Sequence, residues 1–266
     1  MDTIQISIEA TEEEQEILIS KLEDFNANGF EQTSNYLLAY FNENDFSAFD
    51  IKQIIKFFPY QIITIKDRNW NDVWESNFSP VIIDDYCLIR AEFHESDKTL
   101  PIEIIITPKM SFGTGHHPTT HMMISMMRNL DFKGKEVFDF GTGTGILAIL
   151  AEKSGAKKVF ATDSDSWSIE NCRENVLKNE CKNIIIEQTD KLPDQSFDII
   201  LANINKNVLV NYIPQLKKIL KTGGFLLLSG ILNTDEMDLT NACKSVSITL
   251  SEKLEINTWI CLLFIN

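Results

Sequence analysis

The most informative stretch of the chain, residues 137–147, has the sequence VFDFGTGTGIL. Its first four residues predict a strand, and a helix is expected over 145–154, directly after the glycines. Glycine lets the backbone turn tightly and lets a ligand approach it closely. The G-x-G-x-G spacing differs from the G-x-G-x-x-G of dinucleotide folds, and no Lys-Ser/Thr pair follows it as in a Walker phosphate loop.

An acid at the end of the next strand completes this pattern. Residues 158–162 predict the strand, and Asp163 follows it. An acid at this position can accept hydrogen bonds from both ribose hydroxyls of a nucleoside. The glycine spacing together with Asp163 resembles the S-adenosylmethionine (AdoMet) site of Rossmann-like methyltransferases. The alternative is a tight turn and an acid with no ligand, and the order strand, loop, helix, strand, acid argues against it.

The rest of the chain continues to alternate between strands and helices. The predicted segments are the helix 166–180, the strand 183–188, the strand 199–202, the helix 207–220 and the strand 224–229. This alternation predicts an α/β fold with a mostly parallel sheet and helices on both faces. Residues 245–265 predict two further strands without a helix between them, which we expect to form an antiparallel edge.

The first quarter of the chain has a different pattern, with the predicted order β-α-β-β-α-β over residues 1–66. This is the split-βαβ arrangement of a small ferredoxin-like α+β domain. The segment holds 12 acids against four Lys, so we expect it to recognise a basic protein substrate. The alternative is that its surface acids only keep the protein in solution. We expect residues 67–80 to form a linker and residues 81–266 to form the AdoMet-dependent methyltransferase domain.

The composition argues against several classes of protein. The 266 residues carry 39 acids against 24 bases, a net charge of −15, and four of the bases are Arg. Because nucleic-acid-binding proteins usually present a basic face, no direct nucleic-acid contact is expected. No apolar run suits a membrane helix, and no signal peptide is recognisable. Five Cys without a C-x-x-C pair predict reduced thiols in a cytoplasmic protein.

The segment 111–121, SFGTGHHPTTH, holds three of the four histidines. Two of them, His117 and His121, are four residues apart, as metal ligands can be. A proline lies between them and no third type of ligand is near, so we expect no metal. The interpretation that we favour is a flexible loop hinged at Gly113 and Gly115, followed by a helix whose first turn holds the proline.

Asn203 stands at the end of the strand predicted over 199–202, where methyltransferases often place a substrate-facing motif. Families that methylate planar nitrogens of adenine or glutamine have Asn/Asp-Pro-Pro-Tyr/Phe there, whereas residues 203–206 read NINK. The missing prolines and aromatic residue argue against these two substrates. The alternative role of Asn203 is to cap the following helix.

Four segments together resemble the bacterial ribosomal protein L11 methyltransferase family. They are FGTGHHPTT at 112–120, FDFGTGTGILA at 138–148, LANI at 201–204 and LSGIL at 228–232. The resemblance covers roughly residues 70–266 of this chain, and the family has a small ferredoxin-like N-terminal domain. The family usually has Thr at the position of His116.

The resemblance implies a cofactor, a substrate and the residues that bind them. The cofactor would be AdoMet, and the substrate would be ribosomal protein L11, methylated on Lys side chains and on its α-amino group. The residues expected to contact AdoMet are Thr120, Gly141, Gly143, Asp163 and Asn203, with Phe112 lying over it. Asn203 would orient either the amine or the methionine end of AdoMet.

The expected chemistry is a direct displacement, in which a neutral amine attacks the methyl carbon of the sulfonium in line with the leaving sulfur. A Lys amine titrates near about 10.4, so it must first lose a proton to solvent or to a nearby acceptor. Positioning of the two reactants alone can then lower the activation barrier by roughly 7–11 kcal/mol, so no single indispensable base is expected. The alternatives are an RNA methyltransferase or another protein methyltransferase of the same fold, a non-enzymatic binding module, and an NAD-dependent oxidoreductase.

Overall fold

The structure, a computed structural model, describes residues 3–23, 25, 27, 29–43, 46–65, 78–107 and 112–266. The described residues before 66 and those after 77 belong to two compact units. Most of the expected linker, 67–80, lies outside the described residues. Among the described residues, no helix is long and apolar enough to cross a membrane. All five cysteines are described, and each is a free thiol.

The N-terminal unit is a four-stranded antiparallel sheet with two helices, which confirms the predicted ferredoxin-like order. Its elements are β1 (Thr3–Glu9), α1 (Glu12–Glu23), β2 (Gly29–Gln32), β3 (Tyr36–Asn42), α2 (Ala48–Ile55) and β4 (Tyr60–Ile65). The strand order is β2-β3-β1-β4. Because successive side chains of a strand point to opposite faces, Ile4, Ile6 and Ile8 of β1 are buried together in one core with residues of both helices.

The C-terminal unit contains a small sheet and a large one. The small sheet consists of β5 (Val81–Ile83), β6 (Cys87–Arg90) and β7 (Ile102–Ile105). The helix α3 (Pro118–Met127) then leads to the large sheet. The remaining elements are β8 (Glu136–Phe140), α4 (Ile146–Lys153), β9 (Lys158–Asp163), α5 (Ser166–Lys178), β10 (Ile184–Gln188), β11 (Phe197–Asn203), α6 (Lys206–Ile219), β12 (Leu220–Leu232), α7 (Glu236–Ser245), β13 (Thr249–Ile256) and β14 (Trp259–Ile265).

The large sheet has the order β10-β9-β8-β11-β12-β14-β13. Its strands from β10 to β12 are parallel, and β14 and β13 add an antiparallel edge, as the sequence predicts. The sequence pattern did not predict α7. This helix buries just two apolar side chains, Leu239 and Cys243, so its apolar periodicity is weak.

Two apolar cores cover the two faces of the large sheet, because neighbouring residues of each strand point in opposite directions. Val137 of β8 packs in the core that contains α3 and α4, and Phe138 packs in the core that contains α6 and α7. A strand that is covered on both faces has a continuous apolar sequence. This explains why the strand before the glycines could be recognised from so few residues.

Replacing Phe138 with Ala should destabilise the C-terminal unit by about 3–5 kcal/mol. The Phe138 ring is fully buried, and its centroid lies 5.2 Å from that of Phe197, so its removal leaves a cavity. Amide hydrogen exchange in β8 and β11 measures the unfolding free energy. The control is Phe93→Ala, whose ring is 55% exposed and whose loss should cost less than about 0.5 kcal/mol. Equal losses in both variants would contradict the packing role of Phe138.

Candidate active site

The predicted site residues meet at the carboxyl edge of the large sheet, between β8 and β11. The chain runs outward from β8 to β10 and then returns to form β11 on the other side of β8, so the strand order reverses here. Open α/β sheets bind ligands in the crevice at such a reversal. A cavity of about 210 Å³ lies at this point. It is lined by Phe112, Gly113, Thr120, Gly141, Thr142, Gly143, Ile146, Asp163, Ser168, Asn203, Ile204 and Asn205.

All six residues predicted from the sequence line this one cavity. The structure thus brings the six residues together, and the role of each toward AdoMet stays a prediction. The sequence analysis did not name Ile146, Ser168, Ile204 and Asn205 as site residues. Their positions carry a usable signal, because Ile146 and Ser168 lie in the first turns of predicted helices and the other two directly follow a predicted strand.

The glycine loop, residues 141–145, has a backbone path that side chains would block. The φ angle is +75° at Gly141 and +54° at Gly143, in the region that favours glycine. A Cβ atom at Gly141 would overlap the side chain of Ile204, and one at Gly143 would lie 2.5 Å from the carbonyl oxygen of Phe112. The loop therefore brings bare backbone to the cavity.

Asp163 is fixed by the glycine loop and keeps free acceptor positions. Its Oδ2 accepts a hydrogen bond from the Gly143 N–H at 3.0 Å, and its Oδ1 accepts one from the Asp165 N–H at 3.1 Å. A carboxylate offers about four acceptor positions in all. The half-buried Asp163 side chain can therefore accept two further hydrogen bonds from a ligand.

Asp139 supports the glycine loop from inside the protein and does not line the cavity. Its side chain is fully buried, and its Oδ2 accepts a 2.6 Å hydrogen bond from the hydroxyl of Thr142. Its Oδ1 makes no well-formed hydrogen bond among the described residues. Burial raises the pKa of this carboxyl from 3.8 to about 7, and the Thr142 hydroxyl and the Ala148 N–H oppose the rise.

Asn203 and Thr120 form a polar pair on the wall of the cavity. The Asn203 Nδ2 donates to the hydroxyl oxygen of Thr120 at 3.4 Å. The Oδ1 of Asn203 is buried and has no partner among the described residues, which costs about 1–3 kcal/mol until a donor reaches it. The alternative role considered for Asn203, helix capping, belongs to Asn205, whose Oδ1 accepts from the Val208 N–H at 3.1 Å.

The histidine segment contributes a cluster of aromatic rings in edge-to-face contact beside the cavity. The ring centroids of Phe112 and His117 are 5.3 Å apart, and those of His117 and Trp259 are 4.7 Å apart. The Nδ1 of His117 accepts from the Thr119 N–H at 3.3 Å and caps α3, and burial lowers the pKa of His117. Sequence analysis missed Trp259, because tertiary packing alone brings it to this loop.

His116 makes an aromatic contact with a neighbouring residue. Among the described residues, no group of three or more His, Cys, Asp or Glu side chains is placed to hold a metal ion. The ring of His116 lies edge-on to that of Phe78, with centroids 4.9 Å apart. His116, where the family usually has Thr, therefore makes a packing contact.

The loop around Phe112 is bonded to the glycine loop. The Thr144 N–H donates to the Phe112 carbonyl at 3.1 Å, and the Thr144 hydroxyl donates to the Gly113 carbonyl at 2.7 Å. A Cβ atom at Gly113 would lie 2.7 Å from the Thr144 Oγ1, so close approach requires glycine there. Residues 108–111 lie outside the described residues, and hinge motion at Gly113 and Gly115 stays a prediction.

A second cavity, of about 280 Å³, adjoins the first along the carboxyl edge. The two share Gly141, Asp163, Ile204 and Asn205. The other residues that line the second cavity are Phe140, Ser164, Thr189, Asp190, Val208 and Tyr212. Asp163 therefore borders two adjacent spaces, one rich in glycine backbone and one with apolar and aromatic walls.

Asp139 should make the stability of the ligand-free protein depend on pH. A carboxyl whose pKa is about 7 when folded and about 3.8 when unfolded binds its proton more tightly in the folded state. Its stabilising contribution is therefore complete below about pH 4 and is lost as the pH rises through about 7. Asp139→Asn removes this term, so raising the pH should shift the difference in unfolding temperature in favour of the variant. A difference that is independent of pH would refute the assignment.

The sequence matches the family model of ribosomal protein L11 methyltransferase (PrmA) over residues 3–266. A ribosomal protein L11 methyltransferase of Porphyromonas gingivalis is 41% identical over 260 residues, which cover 94% of this chain and 90% of that protein. Another, from Phocaeicola vulgatus, is 36% identical over 247 residues, which cover 89% of this chain and 88% of that protein.

Solved structures agree with this match. The ribosomal protein L11 methylase of Lactobacillus delbrueckii subsp. bulgaricus gives a TM-score of 0.65 at 31% identity, covering 70% of this chain and 98% of that one. The T. thermophilus 16S rRNA N2 G1207 methyltransferase, solved with AdoMet and guanosine, gives 0.51 at 18% identity, covering 60% of this chain and 46% of that one. The second likeness shows the fold alone. The family predicted from the four sequence segments is confirmed, and this chain belongs to the ribosomal protein L11 methyltransferase family.

Proposed function

We propose that this chain is an AdoMet-dependent methyltransferase that methylates amines of ribosomal protein L11, both Lys side chains and the α-amino group. Family membership supports the reaction and the substrate. The observation that carries the proposal is the cavity at the strand reversal, where the glycine loop, Asp163 and the unsatisfied Asn203 meet. Because ribosomal proteins are made and assembled in the cytoplasm, the proposed substrate implies that the enzyme acts there.

The adjoining cavities have the hydrogen-bond acceptors and the surfaces that the nucleoside of AdoMet requires. The two free acceptor positions of Asp163 match the two hydroxyls of a ribose. The bare backbone at Gly141 and Gly143 lets the ligand lie close to the sheet. In the second cavity, the rings of Phe140 and Tyr212 offer apolar surface to a planar base.

When bound, AdoMet supplies a methyl group on a sulfonium sulfur. A neutral amine takes up the methyl group, and the sulfur leaves as a thioether. The free Oδ1 of Asn203 would accept an N–H from the incoming amine or from the methionine ammonium, while Thr120 holds the Nδ2 end of the same amide. Among the described residues that line the first cavity, Asp163 is the one acid, and the proposed ribose contacts use the two acceptor positions that its backbone bonds leave free. We therefore assign loss of the amine proton to solvent.

The N-terminal unit supports a basic protein substrate rather than RNA. A groove of about 900 Å³ on this unit is lined by Glu9, Ala10, Thr11, Glu13, Glu14, Ser34, Asn35, Phe57, Phe58 and Pro59. Its carboxylates would repel a phosphate backbone and attract Lys and Arg. The ring of Phe57, 84% exposed, adds apolar contact surface. We propose that this acidic groove docks L11.

Transfer of a labelled methyl group tests the proposed function directly. Methyl-labelled AdoMet, the enzyme and unmethylated large ribosomal subunits are incubated, and protein and RNA are then separated. Label should appear in L11, with mass spectrometry locating it on Lys side chains and the α-amino group. Label in RNA alone would favour the RNA methyltransferase, and calorimetric binding of NAD without AdoMet would favour the oxidoreductase.

Asp163→Ala should weaken AdoMet binding at least tenfold while leaving the fold intact. The variant loses two hydrogen bonds to a charged acceptor, each worth about 1.5–3 kcal/mol. Titration calorimetry gives the dissociation constant, and circular dichroism checks folding. Asp194→Ala, at an exposed position that does not line either cavity, is the control and should bind as the parent does. Binding by Asp163→Ala within about threefold of the parent would show that the ribose role is wrong.

Reversing charge in the acidic groove should raise the KM for L11 severalfold without changing the KM for AdoMet. The variant is Glu9→Lys combined with Glu13→Lys, both exposed. Exposed charges are screened within roughly 8–10 Å at physiological salt, so added salt should raise the KM of the parent for L11. Glu252→Lys, exposed on β13, tests the effect of charge outside the groove. If it impairs the enzyme equally, the groove has no special role.

A further inference from the structure

Three buried asparagines lie one helical turn apart along α5 and its C-cap. Asn171, Asn175 and Asn179 are 1%, 0% and 8% exposed. Residues four apart share one face of a helix, and an apolar residue would be expected at each of these positions. Buried amides are tolerated when they are hydrogen-bonded, so their partners show what this face of the helix holds.

Asn179 pairs with the backbone of β7 as a neighbouring strand would. Its Oδ1 accepts from the Ile105 N–H at 2.9 Å, and its Nδ2 donates to the Ile105 carbonyl at 2.6 Å. Both polar backbone groups of the last residue of β7 are therefore satisfied by one side chain. This contact joins α5 to the small sheet and does not involve the glycine loop.

Asn175 continues this pairing and also reaches the glycine loop. Its Oδ1 accepts from the Thr107 N–H at 2.8 Å, two residues beyond the Asn179 contact. Its Nδ2 donates to the carbonyl of Thr144 at 2.8 Å and to the Oδ1 of Asn171 at 2.7 Å. One amide thus connects the chain that leaves β7 with the turn that opens α4.

Thr144 is the junction of these contacts. Its carbonyl accepts from Asn175, while its N–H and hydroxyl donate to the carbonyls of Phe112 and Gly113. Thr107 and Phe112 are both attached to this single residue, one through Asn175 and the other directly. A displaced Thr144 would move the adjacent Gly143, whose Cα faces the Phe112 carbonyl with no space for a Cβ.

We propose that Asn175 is a positioning residue for the AdoMet site. Its amide fixes the carbonyl of Thr144 and so helps to hold the glycine loop against the Phe112 segment, and both of these line the same cavity. The inference rests on the proposed function, because the glycine loop serves there as the AdoMet-binding turn. It adds a buried residue that does not line the cavity to those that determine the affinity for AdoMet.

The test compares Asn175→Ala with the matched control Asn179→Ala. Each variant removes a buried amide that bonds to the 105–107 segment, so both should lower the unfolding temperature. Only Asn175→Ala loses the bond to the glycine loop. We expect calorimetry to show AdoMet affinity reduced about tenfold or more in Asn175→Ala and within about twofold of the parent in Asn179→Ala. The KM for L11 should be unchanged in both variants.

Equal AdoMet affinities in the two variants would overturn the inference and leave Asn175 with a role in stability alone. If Asn175→Ala does not fold, Asn175→Leu takes its place, because it removes the bond to the Thr144 carbonyl at nearly constant volume, with Asn179→Leu as its control. Equal AdoMet affinities in these two variants would then overturn the inference. A parent protein that binds NAD but no AdoMet would instead refute the proposed function, and the inference with it.

Discussion

The close approach of backbone to backbone at the glycine loop is the constraint on which the site depends. At Gly143 the chain passes so near the Phe112 carbonyl that no Cβ fits, and a Cβ at Gly141 would overlap the side chain of Ile204. The Gly143 N–H then bonds to Asp163. The ends of β8, β9 and β11 and the segment before α3 converge because this loop leaves space for them. A larger side chain at either glycine would separate the groups that the cavity brings together.

The electrostatic design separates the few acids of the site from the many acids of the surface. Asp139 is enclosed and holds its proton to near neutral pH, whereas Asp163 is half-buried and bonded to backbone N–H groups. Both environments are set by burial and local hydrogen bonds and not by the net charge of −15. The acidic groove of the N-terminal unit carries exposed carboxylates instead, whose charge can act over a distance on a partner. In the function that we propose, cofactor binding and attraction of the substrate therefore rest on different acids.

Much of the fold and of the site could be predicted because the signals are local in sequence. The strand, glycines, helix and acid over 137–163 follow one another directly, and Asn203 is marked by its place at a strand end. Trp259 and the walls of the second cavity could not be predicted, since distant segments meet there only after packing. The α7 helix was missed because two buried residues give too little periodicity. Asn175 had no signal either, because the two backbone partners that define its role, in Thr107 and Thr144, are far away in the chain.

The asparagine contacts along α5 constrain the length of the chain more than its sequence. Asn175 and Asn179 bond to backbone groups of residues 105, 107 and 144, and every residue other than proline offers these groups. Side chains at those positions can therefore change without loss of the bonds. An inserted or deleted residue between Asn175 and Asn179 cannot be absorbed in this way, because it would turn one amide by roughly 100° around the helix axis, away from residues 105–107. Related enzymes that keep these asparagines should therefore keep their four-residue spacing, even where the neighbouring residues differ.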